Sequence, residues 1–130
     1  MKVKLAVLAD YANTTNDGKL NIMGIFGRIQ SAKFPARHLQ CHVVISCLTN
    51  EFDLGKKFPY RVRMMDADGN TLMKLEGNVA VAANGPVRDV NLNLRLNEMM
   101  FPQPGDYEFL IDIGETQSWA IPFAVAKINT

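Results

Sequence analysis

Two histidines, two cysteines and a scattering of carboxylates are the groups in this chain that could do acid–base, nucleophilic or metal chemistry. Their spacing assembles none of it. His38 and His42 lie four residues apart; in an extended strand that separation is about 13 Å, too far to hold one ion. Cys41 and Cys47 fall on one face of the same strand at roughly 20 Å, beyond disulfide reach, and no Cys-x-x-Cys supplies further zinc ligands. Asp66-Ala-Asp68-Gly-Asn70 has the opening oxygens of a calcium loop, but Thr71 stands where that loop needs glycine and Gly77 where it needs a bidentate glutamate. The same five residues make a good hairpin turn. No Gly-x-Ser-x-Gly and no glycine-rich phosphate cradle occurs. Asp10, Asp17, Asp106 and Asp112 sit beside turns or on polar strand faces, where solvated acids are the default. The expectation is a protein that is not an enzyme, with no catalytic residue, no metal site and no cofactor.

Two groups of residues remain as binding candidates. Asp10, Tyr11 and Asn13 place an acid, a phenol and an amide at one end of a strand, where they could line a small-molecule or glycan site. Arg61 and Arg63 put cations on the polar face of a strand, and Met99, Met100 and Phe101 carry apolar side chains at parities that need not all face one core. These five are candidates for contact with a protein. Nucleic-acid binding is not expected of the basic strand, because Tyr60 has the parity of the core side and a single-strand platform needs exposed aromatics among its cations.

The elements that position these residues are strands. Val90-Asn-Leu-Asn-Leu-Arg-Leu96 alternates apolar and polar side chains without a break, the pattern of a strand with one face on a core and one in water. Similar runs occupy Val3–Tyr11, Lys19–Ile29, Leu39–Leu48, Phe58–Asp66, Thr71–Ala82, Arg88–Asn97, Asp106–Ile113 and Trp119–Lys127. Turn formers separate them, including Asp17-Gly18, Asn84-Gly-Pro86 and Pro102-Gln-Pro-Gly105. No stretch keeps a helical period. About eight strands with no helix predict an all-β, antiparallel β-sandwich, Greek-key/immunoglobulin-like or jelly-roll-like, with a closed barrel as runner-up. Tyr107, Phe109, Trp119, Ile121, Phe123, Leu92 and Leu94 are expected in its core. Parity also places Val3, Leu5 and Val7 on one face of the first strand, and Leu39 with Cys41 on one face of the third.

A chain of 130 residues with no linker or repeat reads as one domain over 1–130. Its net charge of +1 gives no overall pull toward nucleic acid or an anionic membrane. Residues 1–63 carry ten basic residues against four acids, whereas residues 64–130 carry four against nine. If the two halves stay apart in space, that split makes a dipolar surface suited to a charged partner. The apolar run after Lys2 and Lys4 is cut by Asp10, too early for a signal sequence, and no segment approaches a membrane span. A cytoplasmic location without membrane association is expected.

Leu8-Ala-Asp-Tyr-Ala-Asn13, Asp17-Gly-Lys-Leu-Asn-Ile-Met-Gly-Ile-Phe26 and Phe34-Pro35 resemble the start of a family of short bacterial proteins of unknown function. Phe101-Pro-Gln-Pro-Gly-Asp-Tyr-Glu-Phe109 and the closing Ile-Pro-Phe-x-Val at 121–125 resemble that family's end. The resemblance covers most of the chain and implies a fold but no reaction, so no catalytic residue carries over. The leading functional expectation is an interaction or structural module with a protein partner. Another copy of the chain is one candidate, joined through edge strands and charge complementarity as a homo-oligomer or filament.

Overall fold

In the computed structural model, which describes residues 1–114 and 117–128, the alternating segments form nine strands. They are β1 (Lys2–Thr14), β2 (Leu20–Ile25), β3 (Arg28–Ser31), β4 (Ala36–Leu48), β5 (Lys57–Asp66), β6 (Thr71–Ala80), β7 (Val90–Phe101), β8 (Gly105–Ile113) and β9 (Gln117–Lys127). One turn of 3₁₀ helix, Glu51–Asp53, interrupts the β4–β5 connection and is capped by Asn50. The strands make two sheets, ordered β2-β1-β4-β7 and β3-β9-β8-β5-β6.

The orders β1-β4-β7 and β9-β8-β5 follow the A-B-E and G-F-C strands of immunoglobulin sandwiches. The Tyr107 hydroxyl donates to the Gln103 carbonyl at 2.5 Å, the corner contact such sandwiches make at the start of strand F. The fold is therefore the expected all-β sandwich, with one departure from a purely antiparallel arrangement. The run 19–29 is two strands: β2 ends before Phe26-Gly27, the chain crosses to the other sheet, and β3 pairs parallel with β9.

An aromatic cluster forms the centre of the core. Phe123 stacks on Phe109 at 5.3 Å and on Tyr107 at 5.8 Å, and meets Phe101 of the opposing sheet edge-on at 5.9 Å. Ile121 is buried with them. Leu92 and Leu94 are only partly buried, packed against the cluster from the edge strand β7. Trp119 departs from expectation: it lies opposite Ile111 on the core-facing side yet is 39% exposed. β3 reaches β9 only at Ala124–Lys127, so the Trp119 end of that strand is left on an open edge.

Local irregularities overturn two of the parity assignments. Val3 pairs with Cys47 and Leu5 with Ser46, so Lys4 is an extra residue in β1 and a bulge of this kind moves every later side chain to the other face. Leu8 is therefore in the core, with Ala6 packed against it, whereas Leu5 and Val7 are not. In β4, Leu39 is 63% exposed. The regular pairing of β4 with β7 skips Leu39 and Glu98, and Glu98 takes a left-handed φ of 54°. Beyond that kink Cys41, Val43, Ile45 and Cys47 face the core as the alternation requires.

Candidate functional site

Of the side chains buried outside the main cluster, five lie on β1 and β4: Ala9, Ala12, His42, Val44 and Ser46. Val43, Val44 and Ile45 are consecutive and all fully buried, which a strand can achieve only if both of its faces are covered. The outer cover is the far half of the β1–β2 hairpin. β1 runs beside β4 only as far as Ala9, opposite His42. The Asn93 side chain of β7 donates to the Ala12 carbonyl at 2.7 Å, and that of Asn91 donates to the Gly18 carbonyl at 3.3 Å. Asn93 lies opposite Val44 and Asn91 opposite Ser46. The hairpin arm, residues 10–25, therefore folds across the outside of β4 and β7 rather than continuing along them.

Its bend is at Asp10 and Gly24, which the regular β1–β2 pairing skips. Gly24 has φ +71°, and a Cβ built there would lie 2.5 Å from the Asp10 carboxylate. Glycine is needed twice over, for the backbone conformation and for the acid that lies against it.

Under the arm sits a polar network. His42 Nδ1 is 2.7 Å from Asn93 Oδ1. Because the Asn93 amide nitrogen is spent on the Ala12 carbonyl, its oxygen must accept, so the imidazole proton is on Nδ1. The Ser46 hydroxyl donates to Asn91 Oδ1 at 2.6 Å. Tyr11 meets the His42 ring edge-on at 5.3 Å, and His42 Nε2 has no hydrogen-bond partner. Every polar contact here joins the arm or β4 to β7, so the network latches the arm.

The arm also exposes large apolar side chains to solvent, Tyr11 with the part of its ring not turned to His42. Met23 is 63% exposed, Ile25 62% and Tyr11 45%. Tyr11 pairs with Met23, which sets those two side chains together on one face of the hairpin, and Ile25 follows beyond the Gly24 bend. Asn13 and Asn21 continue that face with a side-chain hydrogen bond of 3.0 Å.

The residues singled out from sequence are thus redistributed. Tyr11 and Asn13 share the solvent face of the arm, while Asp10 has the opposite parity and packs on Gly24, so the three do not converge on one ligand. Met99 and Phe101 are buried in the core and Cys41 Sγ contacts Met99 Sδ at 3.9 Å. They are not available to a partner, because the Glu98 kink turns both inward. Met100 between them is exposed. Arg61 and Arg63 do lie on the outer face, held by Asp112 at 3.2 and 3.5 Å. A shallow trough of about 520 Å³ runs past Arg61, lined also by Glu76, Asn78 and Asp112 among others. Sequence reasoning missed Met23, Ile25, His42, Asn91 and Asn93. The signal available for the first two was their parity: with Leu20 and Ile22 on one side of β2, they are apolar on the other.

Part of the charge split between the halves is met inside the fold. Lys4 bridges Asp89, Arg37 lies 3.9 Å from Glu98, and Arg61 and Arg63 both meet Asp112. Each pair joins a cation of the first half to an acid of the second. Both sheets also contain strands from both halves, which brings these cations and acids together.

The thiols are buried: burial pushes Cys41 up to about 12 and raises Cys47 as well, which suits small core side chains rather than nucleophiles. Among the described residues no cluster of three or more His, Cys, Asp or Glu is placed to hold a metal ion, and no helix is long and apolar enough to cross a membrane. Asp66-Ala-Asp-Gly-Asn70 is a hairpin turn, with the Asp66 carboxylate accepting from the Asp68 and Asn70 backbones and from the Asn70 amide.

Those bonds hold Asp66 below the usual carboxylate range; the Ser118 hydroxyl, and then Arg61, do the same for Asp112, and the Asn50 N–H does so for Asp53. A carboxyl whose folded pKa is depressed stabilises fully above its unfolded value, about 3.9, and that stability is lost as pH falls through the folded value. The melting temperature should be level from pH 7 to about 5 and fall below about 4. Asp112→Asn should be less stable near neutrality and lose less on acidification. Parallel curves for the two proteins would show that Asp112 makes no such contribution.

Two β-sheets face to face, bridged by an aromatic core and carrying a folded-over arm, define an all-β sandwich of immunoglobulin-like order. The chain belongs to a family of unknown function (DUF6941), whose model matches residues 4–126. No curated protein sequence matches it. Among solved structures it is similar to part of the Listeria innocua beta-glucosidase. The complex with gluconolactone has 12% identity and a TM-score of 0.50, covering 93% of this chain and 16% of that one. The complex with glucose has 13% identity and a TM-score of 0.49, covering 77% and 15%. The chain spans about a sixth of that enzyme's length, and at this identity the likeness concerns the fold alone.

Proposed function

We propose that the protein is a non-enzymatic interaction module that docks a protein partner on the solvent face of the β1–β2 arm. The observation that carries this reading is the exposure of three large apolar side chains on one hairpin arm: Tyr11 and Met23 side by side across it, and Ile25 two residues beyond Met23. Scattered exposed apolar residues are ordinary, whereas a contiguous group marks a contact surface. Aromatic and methionine side chains are those enriched at such contacts. Charge has a smaller part in this reading, since four of the ten cations of the first half already pair with acids of the second within the molecule.

The test is a photoreactive side chain in place of Met23, compared with the same group in place of Lys127, on the intact chain in an extract of its source cells. A discrete adduct from position 23 alone, lost when Ile25→Asp is added, is the expected result. An adduct of twice the chain mass would identify the partner as another copy. Equal, diffuse labelling from both positions would overturn the reading.

A further inference from the structure

We infer that a second copy of this chain pairs with the free edge of β6 about a two-fold axis through Leu75, joining the two β3-β9-β8-β5-β6 sheets into one. This surface lies in the sheet that does not contain the arm and is independent of the contact proposed above.

The four sheet edges differ in how well they resist an added strand. β3 is four residues long, and β2 has six with Gly24 at φ +71° among them. β7 kinks at Glu98, and its regular part, Val90–Asn97, carries Arg95 as its single charge, with no acid to receive it. β6 is the exception: ten residues long, free of proline and, beyond a bulge at Leu72, paired with β5 without a break from Met73 to Ala80. Among the described residues no strand pairs with its outer edge. Long, regular edges of this kind are the ones that recruit another strand unless charge prevents it.

The charge on β6 is self-complementary in one register. The Val81 N–H donates to the Lys56 carbonyl at 2.9 Å, and the Val81 carbonyl accepts from Gly55 N–H at 3.0 Å, so both peptide groups of Val81 face β5. In an antiparallel ladder this orientation alternates. Val79, Gly77, Leu75 and Met73 therefore also bond toward β5, and Lys74, Glu76 and Asn78 present N–H and C=O to the free edge. Gly114 N–H donating to the Pro59 carbonyl at 2.8 Å on the far side of β5 agrees with that phase.

Centring an antiparallel pair on Leu75 sets Lys74 opposite the partner's Glu76, and Glu76 opposite the partner's Lys74. All four belong to the set whose backbone groups point outward. Moving the centre by one residue either way sets two Glu76 or two Lys74 side chains against each other. Lys74 and Glu76 are about half exposed and lie 2.9 Å apart in one chain, so the paired edge would carry a closed square of alternating charges. A two-fold contact uses both β6 edges and closes as a dimer rather than a filament. One strand pair is a small interface, below the standard class of about 1,200–2,000 Å², so the dimer should be weak and visible toward millimolar protein.

The experiment is sedimentation velocity on the full chain across a concentration series, with circular dichroism to check folding. The expected result is a shift from the 14.5 kDa monomer to twice that mass, weakened by salt. Lys74→Glu or Glu76→Lys should weaken it about ten- to a hundred-fold, and the double swap Lys74→Glu/Glu76→Lys should restore it. A monomer at every concentration, a dimer indifferent to Lys74→Glu, or a double swap that fails to restore would each overturn the inference. None of these outcomes bears on crosslinking at position 23.

Discussion

Phe123→Ala should destabilise the protein by about 3–5 kcal/mol, whereas Trp119→Ala should cost only about 1–2 kcal/mol. Both residues are large aromatics at the same parity of one strand, and composition alone would rank the tryptophan higher. The difference is position. Phe123 is buried and touches three other rings, two of them in its own sheet and Phe101 in the opposing one. Removing it leaves a cavity walled by side chains from both sheets, which cannot all relax inward. Trp119 is 39% exposed on a stretch of β9 that β3 does not reach, so water fills much of the space it vacates. Urea unfolding of the two variants decides the matter, and equal losses would mean that the open end of β9 is packed as tightly as the aromatic centre.

The second large effect separates two adjacent valines. Val43→Asp should prevent folding, while Val44→Asp should leave a folded sandwich whose arm has come away. Each side chain is fully buried, and a carboxylate placed at either site has no partner. Val43 belongs to the main core, and an unpaired charge there exceeds what a fold with about 5–15 kcal/mol of total stability tolerates. Val44 lies outside that cluster, under the arm. The arm can yield locally by breaking the Asn91 and Asn93 bonds to Gly18 and Ala12 and letting water reach the new acid. The expected loss for Val44→Asp is about 2–4 kcal/mol, with amide exchange accelerated across residues 10–25 and β5 and β8 still protected. Uniform acceleration throughout the chain would show that the arm and the sandwich open as one unit.

The alternation, and with it the all-β class, was legible along the chain, because side-chain parity is a property of an extended backbone and needs no distant contact. Turn chemistry was equally local: Gly18 and Gly69 adopt positive φ where Asp17-Gly18 and Asp68-Gly69 predicted hairpins. Tyr107, Phe109, Ile121 and Phe123 followed from the same rule. Tertiary structure alone decided where the alternation is broken. Lys4 bulges, Glu98 kinks and the chain changes sheets at Phe26-Gly27. Each of these resets which side chains are inside, and each depends on a neighbouring strand that lies far away in sequence. That is why Leu39 is exposed, and why Met99 and Phe101 are core residues rather than contacts.

The candidate site follows the same division. The apolar residues on both faces of β2 and the run Val43-Val44-Ile45 were legible as a sign that a second face must be covered. That the cover is the protein's own hairpin was not legible. It depends on Asn93 of β7 reaching the Ala12 carbonyl of β1, an interaction across 81 residues. Periodicity reports which faces must be buried; only the packed chain decides what buries them.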